Sequence, residues 1–296
     1  MDGTVCFRNV DTVVSCDDQD REYRGVDIFV EGGVISTIGE ATRKADIEID
    51  GRGLLIYPGL INTHHHLYQI LTRNLPQVQN LELFDWLTHL YGLWKNITEH
   101  SVYYACLAGM GELVKYGCTT VFDHHYVFPR SAGDLIGAEV AAASELGVRL
   151  VLSRGSMDLG EKDGGLPPDS VVQSVDEILR DSENIIARYH DAAPNSMCQT
   201  VLAPCSPFSV SQDLLRESAI LAREKGVRLH THLAETLDEE RYTLEVYGIR
   251  PLAYMERLGW VGNDVWYAHG IHFNDAELDL LAQTGTGVAH CPASNM

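Results

Sequence analysis

Lysine is scarce in this chain of 296 residues: Lys44, Lys95, Lys115, Lys162 and Lys225 stand against 42 Asp and Glu. The formal net charge is −20. A nucleic-acid surface needs a basic stripe to displace counterions, so nucleic acid is excluded as a partner. A lysine-poor, carboxylate-rich surface stays hydrated in concentrated salt, which fits a high-salt cytoplasm. Long apolar runs are missing too. No stretch reaches the ~20 consecutive apolar residues of a membrane span, and residues 1–7 carry neither a basic patch nor an apolar signal core. A membrane is therefore excluded as a partner, and the cytoplasm is the expected location. There is no CxxC. The cysteines at 6, 16, 106, 118, 198, 205 and 291 are scattered and odd in number, which disfavours a disulfide framework.

Hydrophobic residues make up 45% of the chain, enough for a large core. Residues 1–57 read as short strands joined by turns, with residues 25–30 and 34–39 flanking Gly32-Gly33 as a hairpin and a further strand block at 47–56. This segment is expected to be the N-terminal part of a small β-sandwich domain. From 58 to 296 the pattern becomes strand–helix alternation, with strands expected at 58–66, 118–123, 148–153, 197–203, 227–232, 264–269 and 287–290. Helices are expected at 84–93, 101–116, 131–146, 170–190, 211–225, 237–248, 250–259 and 275–284. Such alternation makes a parallel α/β sheet. Histidine or acid closes five of the seven strands: His64/His66, Asp123/His124, His232, His269 and His290. Polar strand ends all round favour a (β/α)8 TIM-type barrel, whose sites lie on that face, over a doubly wound sheet with one switch point. Only seven of its strands are present.

Pro58-Gly-Leu-Ile-Asn-Thr-His64-His65-His66 carries the first chemical signal. Side-chain alternation along a strand puts Asn62, His64 and His66 on one face and Thr63 and His65 on the other. Two imidazoles two apart at a strand end make a ligand pair for Zn, Fe, Ni or Cu. The alternative is a solvated loop. An expression tag is excluded by the apolar strand that precedes the cluster.

Further along stand His230-Thr-His-Leu-Ala-Glu235, Tyr267-Ala-His269 and His290-Cys-Pro-Ala-Ser-Asn295. In this order and spacing the motifs resemble the amidohydrolase superfamily, in its branch of zinc-dependent heterocycle aminohydrolases. The resemblance implies a metal held by His64, His66 and His232, with Glu235 and His269 as catalytic groups. His230, of the same parity as His232, is either a core residue or a group behind the metal. Binuclear relatives bridge two ions with a fourth-strand lysine, and no lysine lies between Lys162 and Lys225. One divalent ion is therefore implied, Zn or alternatively Fe. The family's eighth-strand Asp ligand has no counterpart up to Met296. The sequence accordingly reads as a fragment of a longer protein, inactive and poorly folded by itself.

The resemblance also implies hydrolytic deamination by a metal-activated hydroxide, with Glu235 cycling as general acid and base and His269 stabilising the oxyanion or steering the water. Gln69, Phe208, His290 and Asn295 are the implied substrate contacts. Residues 65–73, 83–87 and 154–168 are most similar to the members that deaminate 8-oxoguanine to urate, which implies a role in purine catabolism. A run of Cys205-Ser-Pro-Phe208 where guanine deaminases carry Arg-Phe-Ser argues against plain guanine. Triazine (hydroxyatrazine-type), guanine and pterin aminohydrolases are the alternatives, and a non-catalytic barrel scaffold is a remote one. The expected partner is a small heterocyclic substrate, with homo-oligomerisation open. The Gly-rich residues 154–169 are expected to cover the barrel mouth as a lid. The pattern leaves open which of His124 and His125 faces inward.

Overall fold

A computed structural model describes residues 3–295. The chain divides into two compact units after Leu60, three residues beyond the boundary at 57.

The first unit is a five-stranded sheet of β1 (Val5–Val14), β2 (Glu22–Glu31), β3 (Val34–Gly39), β4 (Ile47–Asp50) and β5 (Leu55–Ile56). β1 is its centre, antiparallel to β2 and parallel to β4 and β5. Gly32 and Gly33 sit at φ 59° and 76°, as a two-residue hairpin turn between β2 and β3 requires. The apolar block at 47–56 is not one strand. Gly51 closes onto β1 so tightly that a Cβ there would lie 2.6 Å from the Val10 side chain, and the chain steps to a new register before β5 begins. Arg8 joins three strands by pairing with Asp27 at 3.0 Å and Glu48 at 2.7 Å. The small core is Val10, Val13 and Ile28.

The second unit carries a seven-stranded sheet: β6 (Leu60–Asn62), β7 (Cys118–Asp123), β8 (Arg149–Ser156), β9 (Cys198–Pro204), β10 (Arg228–Leu233), β11 (Val265–His269) and β12 (Gly287–Ala289). Strands are neighbours in chain order, and the pairs from β7 to β12 are parallel. Each crossover is helical: α1 (Leu83–Trp94) and α2 (Glu99–Lys115) after β6, α3 (Leu135–Leu146) after β7, α4 (Val175–Tyr189) after β8, α5 (Gln212–Lys225) after β9, α6 (Leu237–Tyr247) and α7 (Pro251–Arg257) after β10, and α8 (Asp275–Thr284) after β11. A one-turn α9 (Pro292–Asn295) follows β12.

Helix starts follow capping chemistry more than apolar spacing. Asp134 accepts from Gly137 N at 2.8 Å and starts α3 later than residue 131. The Ser174–Glu177 capping box starts α4 later than residue 170. The apolar helix faces and the outer face of the sheet form two buried clusters, one around Trp94, Met110 and Leu150, the other around Leu215, Trp260 and Tyr267.

The sheet is curled, as the inner face shows. Phe122 on β7 packs against His230 on β10 and Trp266 on β11, with ring centroids 4.6 and 5.0 Å apart. The Trp266 indole N–H then donates to the Thr63 carbonyl just after β6, at 3.1 Å. One hydrogen bond thus joins the sixth strand to the end of the first and sets where the histidines begin. W266F is expected to lower the unfolding free energy by about 1 kcal/mol, the net worth of one such bond, measured as a shift of the denaturant midpoint at unchanged m-value.

The residues read as a mouth-covering lid do something else. Residues 154–156 extend β8 and pair with β9 up to Ser156↔Pro204. Arg154 is buried and bonds Asp181 at 2.6 Å and Gln173 at 2.7 Å, which pins the segment toward α4. The residues lining the cavity at the strand ends include none from 154 to 169.

Candidate active site

Alternation along the strands sorts the histidines. On β10, His230 and His232 point inward, and His64 and His66 do so beyond β6. His124 follows the inward Phe122, and His125 turns outward with Asp123. Nitrogens of His64, His66, His124 and His232, one from each, all lie within 4.8 Å of one another.

Their hydrogen bonds fix the proton positions. His66 Nδ1 lies 2.7 Å from the His124 carbonyl, and His232 Nδ1 lies 2.6 Å from the Cys205 carbonyl. A carbonyl only accepts, so each Nδ1 carries the proton and each Nε2 is bare. The two Nε2 atoms face one another at 3.1 Å. His230 donates Nδ1–H to the Trp266 carbonyl at 2.9 Å and accepts from His64 Nδ1 at 2.9 Å, which leaves His64 Nε2 bare. His124 donates Nε2–H to the Ala203 carbonyl at 2.9 Å, and its Nδ1 is buried without a partner. Burial holds His64, His66, His124 and His232 well below the usual imidazole range, so all four are neutral. Four lone pairs with no proton among them repel. A cation between them removes that repulsion, and neutral imidazole is a ligand for zinc-type ions. The residues fit a metal ion. His230 stands behind His64 and orients it, the role such outer hydrogen bonds play in metal sites.

Glu235 follows β10 by two residues. Ala234, at φ 53°, turns the chain, and the Glu239 carboxyl secures the turn by accepting from Ala234 N at 2.8 Å and Glu235 N at 3.3 Å. Glu235 Oε1 then lies 3.4 Å from His269 Nε2. Burial pushes the Glu235 carboxyl up to about 7 and that of Glu239 to about 8.

His269 reaches the site against strand parity. Tyr267, two residues earlier, faces outward and donates its hydroxyl to the Trp260 carbonyl, so alternation would send His269 outward too. Its backbone sits at φ 77°, a left-handed conformation that costs an L-residue roughly 1–2 kcal/mol. The turn swings the ring inward to stack on His232 at 5.5 Å. Gly270 follows at φ 67°, where a Cβ would lie 2.9 Å from the Phe273 ring.

A cavity of about 1310 Å3 opens in front of these groups, lined by Gln69, Phe208, Glu235, His269, His290 and Asn295 among others. The Gln69 amide donates to the hydroxyls of Tyr126 at 3.3 Å and Tyr68 at 3.4 Å. Phe208 packs on Phe84 at 4.8 Å. His290 is exposed at the rim. Asn295 Oδ1 accepts from His269 Nδ1 at 3.0 Å, so its contact is with a catalytic candidate. His65 lies outside the imidazole cluster. Sequence reasoning missed Glu239, Tyr126 and the inward turn of His124. Parity counted from Phe122 was the available signal for His124.

The geometry has known counterparts. Residues 55–296 match the model of the amidohydrolase family, and the chain belongs to that family. It is 47% identical to 8-oxoguanine deaminase of Pseudomonas aeruginosa over 91% of this chain and 61% of that protein. It is 39% identical to hydroxydechloroatrazine ethylaminohydrolase of a Pseudomonas species over 98% of this chain and 63% of that protein. Among solved structures, the atrazine chlorohydrolase of Arthrobacter aurescens complexed with zinc superposes with a TM-score of 0.92 at 34% identity, over 98% of this chain and 66% of that one. The chain thus spans about three-fifths of the length of these curated relatives. No helix among the described residues is long and apolar enough to cross a membrane.

Two outcomes follow for the isolated site. The folded-state value for Glu235 lies above its ordinary 4.5, so ionising it opposes folding as pH rises from 4.5 through about 7. In metal-free protein, E235Q is expected to match native stability below pH 4 and to exceed it by up to about 3 kcal/mol at pH 8, read from denaturation midpoints. Metal analysis of H64A and H65A is expected to show loss in the first and retention in the second. The reverse would reverse the strand register.

Proposed function

We propose that this chain forms the metal-binding core of a hydrolytic deaminase acting on an amino-substituted heterocycle, with 8-oxoguanine, giving urate and ammonia, as the substrate. The observation that carries the reading is the set of proton-free imidazole nitrogens that shares a cavity with Glu235, whose carboxyl is pushed up to about 7. His64, His66 and His232 would hold the ion, with His124 beside them, and zinc is the metal that the structural relative supports. When bound, such an ion lowers the pKa of a water and makes it a nucleophile near neutrality.

The chain's own groups move the protons. Attack on the carbon bearing the exocyclic amine forms a C–O bond and turns that carbon tetrahedral. The adjacent ring nitrogen gains electron density and must receive a proton. A carboxyl balanced near pH 7 both takes the proton of the attacking water and delivers it to that nitrogen, so Glu235 suits both halves of the transfer. The second water proton goes to the exocyclic nitrogen, the C–N bond breaks, and ammonia leaves with the ring carbonyl formed. His269 has its Nδ1–H committed to Asn295, so its Nε2 is an acceptor. It therefore suits holding the water by its proton, and it has no N–H there to stabilise an oxyanion.

The 47% identity to 8-oxoguanine deaminase over most of the chain supports the substrate choice. The relative acting on a triazine and an isoxanthopterin deaminase at 39% identity support the same chemistry on other rings. Gln69, which lines the cavity, is the proposed polar contact to the ring. Ammonia release by the full-length zinc protein should be strongest with 8-oxoguanine among 8-oxoguanine, guanine, isocytosine, a pterin and hydroxyatrazine. Silence on 8-oxoguanine beside turnover of another ring would overturn the substrate and keep the class. E235Q should lose about 10²–10⁴-fold in kcat with metal retained.

A further inference from the structure

We infer that Asp123, braced from behind by Glu139 and His125, positions the metal-bearing end of β6 by holding the Leu67 amide; this rests on reading His64 and His66 as metal ligands. Three hydrogen bonds tie the end of β7 to residues 65–67. His124 N donates to the His65 carbonyl at 2.7 Å, His66 Nδ1 donates to the His124 carbonyl at 2.7 Å, and Leu67 N donates to Asp123 Oδ1 at 2.6 Å. Backbone atoms that any residue supplies accept the first two. The third needs a side-chain acceptor at position 123.

That acceptor lies on the side of the sheet away from the cavity. Asp123, His125 and Glu139 are all fully buried. Cys106 on α2, Asp123 on β7 and Glu139 on α3 bring one ligand-type atom each within 4.8 Å of one another. Among the described residues, Asp123 Oδ2, His125 Nδ1 and both Glu139 oxygens have no hydrogen-bonding partner. His125 gives its Nε2–H to the Val127 carbonyl at 2.9 Å, and its Nδ1 lies 2.5 Å from Glu139 Oε1. The two atoms are close but not aligned for a hydrogen bond. Two ligand atoms of one zinc-type ion, each bound at ~2.0–2.2 Å, stand farther apart, so His125 Nδ1 and Glu139 Oε1 are not joint ligands of one ion. Burial holds both carboxyls well above the usual carboxylate range. A polar network in a dry core is costly unless its members satisfy one another. Here the hydrogen bond that Asp123 makes goes to Leu67, the residue after His66.

The test uses the full chain with D123A, D123N and E139L. Two readouts apply: exchange of the Leu67 amide in metal-free protein, and zinc affinity with the cobalt(II) ligand-field spectrum. D123A is expected to speed Leu67 exchange by about tenfold or more and to weaken zinc binding about 10–100-fold, the usual effect of losing an outer support. D123N keeps an acceptor oxygen and should stay within about threefold of native on both. E139L should follow D123A, and it decides the matter with D123N if D123A does not fold. Native zinc affinity and a native cobalt spectrum in D123A or E139L, with only the melting temperature lowered, would overturn the proposal. So would D123N failing as D123A does, or two bound metal equivalents of which D123A loses one. If the native chain bound no zinc, the metal-centre reading would fail by itself, and Leu67 exchange would still decide whether Asp123 holds the strand.

Discussion

Two imidazole nitrogens 3.1 Å apart, each without a proton, are the constraint on which the rest of the site depends. His66 and His232 come from residues 166 apart in the chain, and each has committed its one N–H to a backbone carbonyl. The carbonyls belong to the ends of neighbouring strands, so the sheet itself sets the tautomers. His230 repeats the device at one remove, taking its orientation from the Trp266 carbonyl and passing it to His64. The sheet and the metal-binding geometry are therefore a single hydrogen-bonded system. A shift of the ends of β7, β9 or β11 would disturb the carbonyls that fix these tautomers.

Much of this arrangement was legible in the sequence, because strand alternation is a strict rule. It separated His64 and His66 from His65 and grouped His230 with His232. Parallel α/β order followed from the same periodicity. Three things escaped it. Helix starts at Leu135 and Val175 depend on which nearby side chain caps the backbone, and apolar spacing does not report that. The run at 47–56 looked like one strand because a steric limit at Gly51 leaves no trace in hydrophobicity. The Gly-rich segment after β8 looked like a lid because composition signals irregular backbone without saying where Arg154 anchors it. Asn295, expected as a substrate contact, lines the cavity and also hydrogen-bonds His269. A family motif marks a residue's importance more reliably than its partner.

The acidic composition divides into two populations. Most of the 42 carboxylates are exposed and set the net charge. Asp123, Glu139 and Glu239 are instead buried and Glu235 is largely so, and all four hold their protons well above the pH at which a solvated carboxyl loses them. Glu235 faces the cavity, Glu239 fixes the turn that presents it, and the other two lie behind the first strand. Desolvation thus makes the same residue type act as a charge outside and as a proton reservoir or hydrogen-bonding strut inside.

The left-handed backbone at Ala234 and His269 bears on how such a site could be moved or imitated. Both proposed proton-handling groups reach the cavity by a local reversal of the chain at the strand end, and regular alternation would have sent His269 elsewhere. Copying the histidines and the glutamate onto another barrel at the same strand positions would reproduce the proposed metal ligands, which obey the pleat, and would misplace His269, which does not. Transplanting this chemistry means carrying over two short turns with their supports, Glu239 on one and Gly270 on the other, as units of backbone.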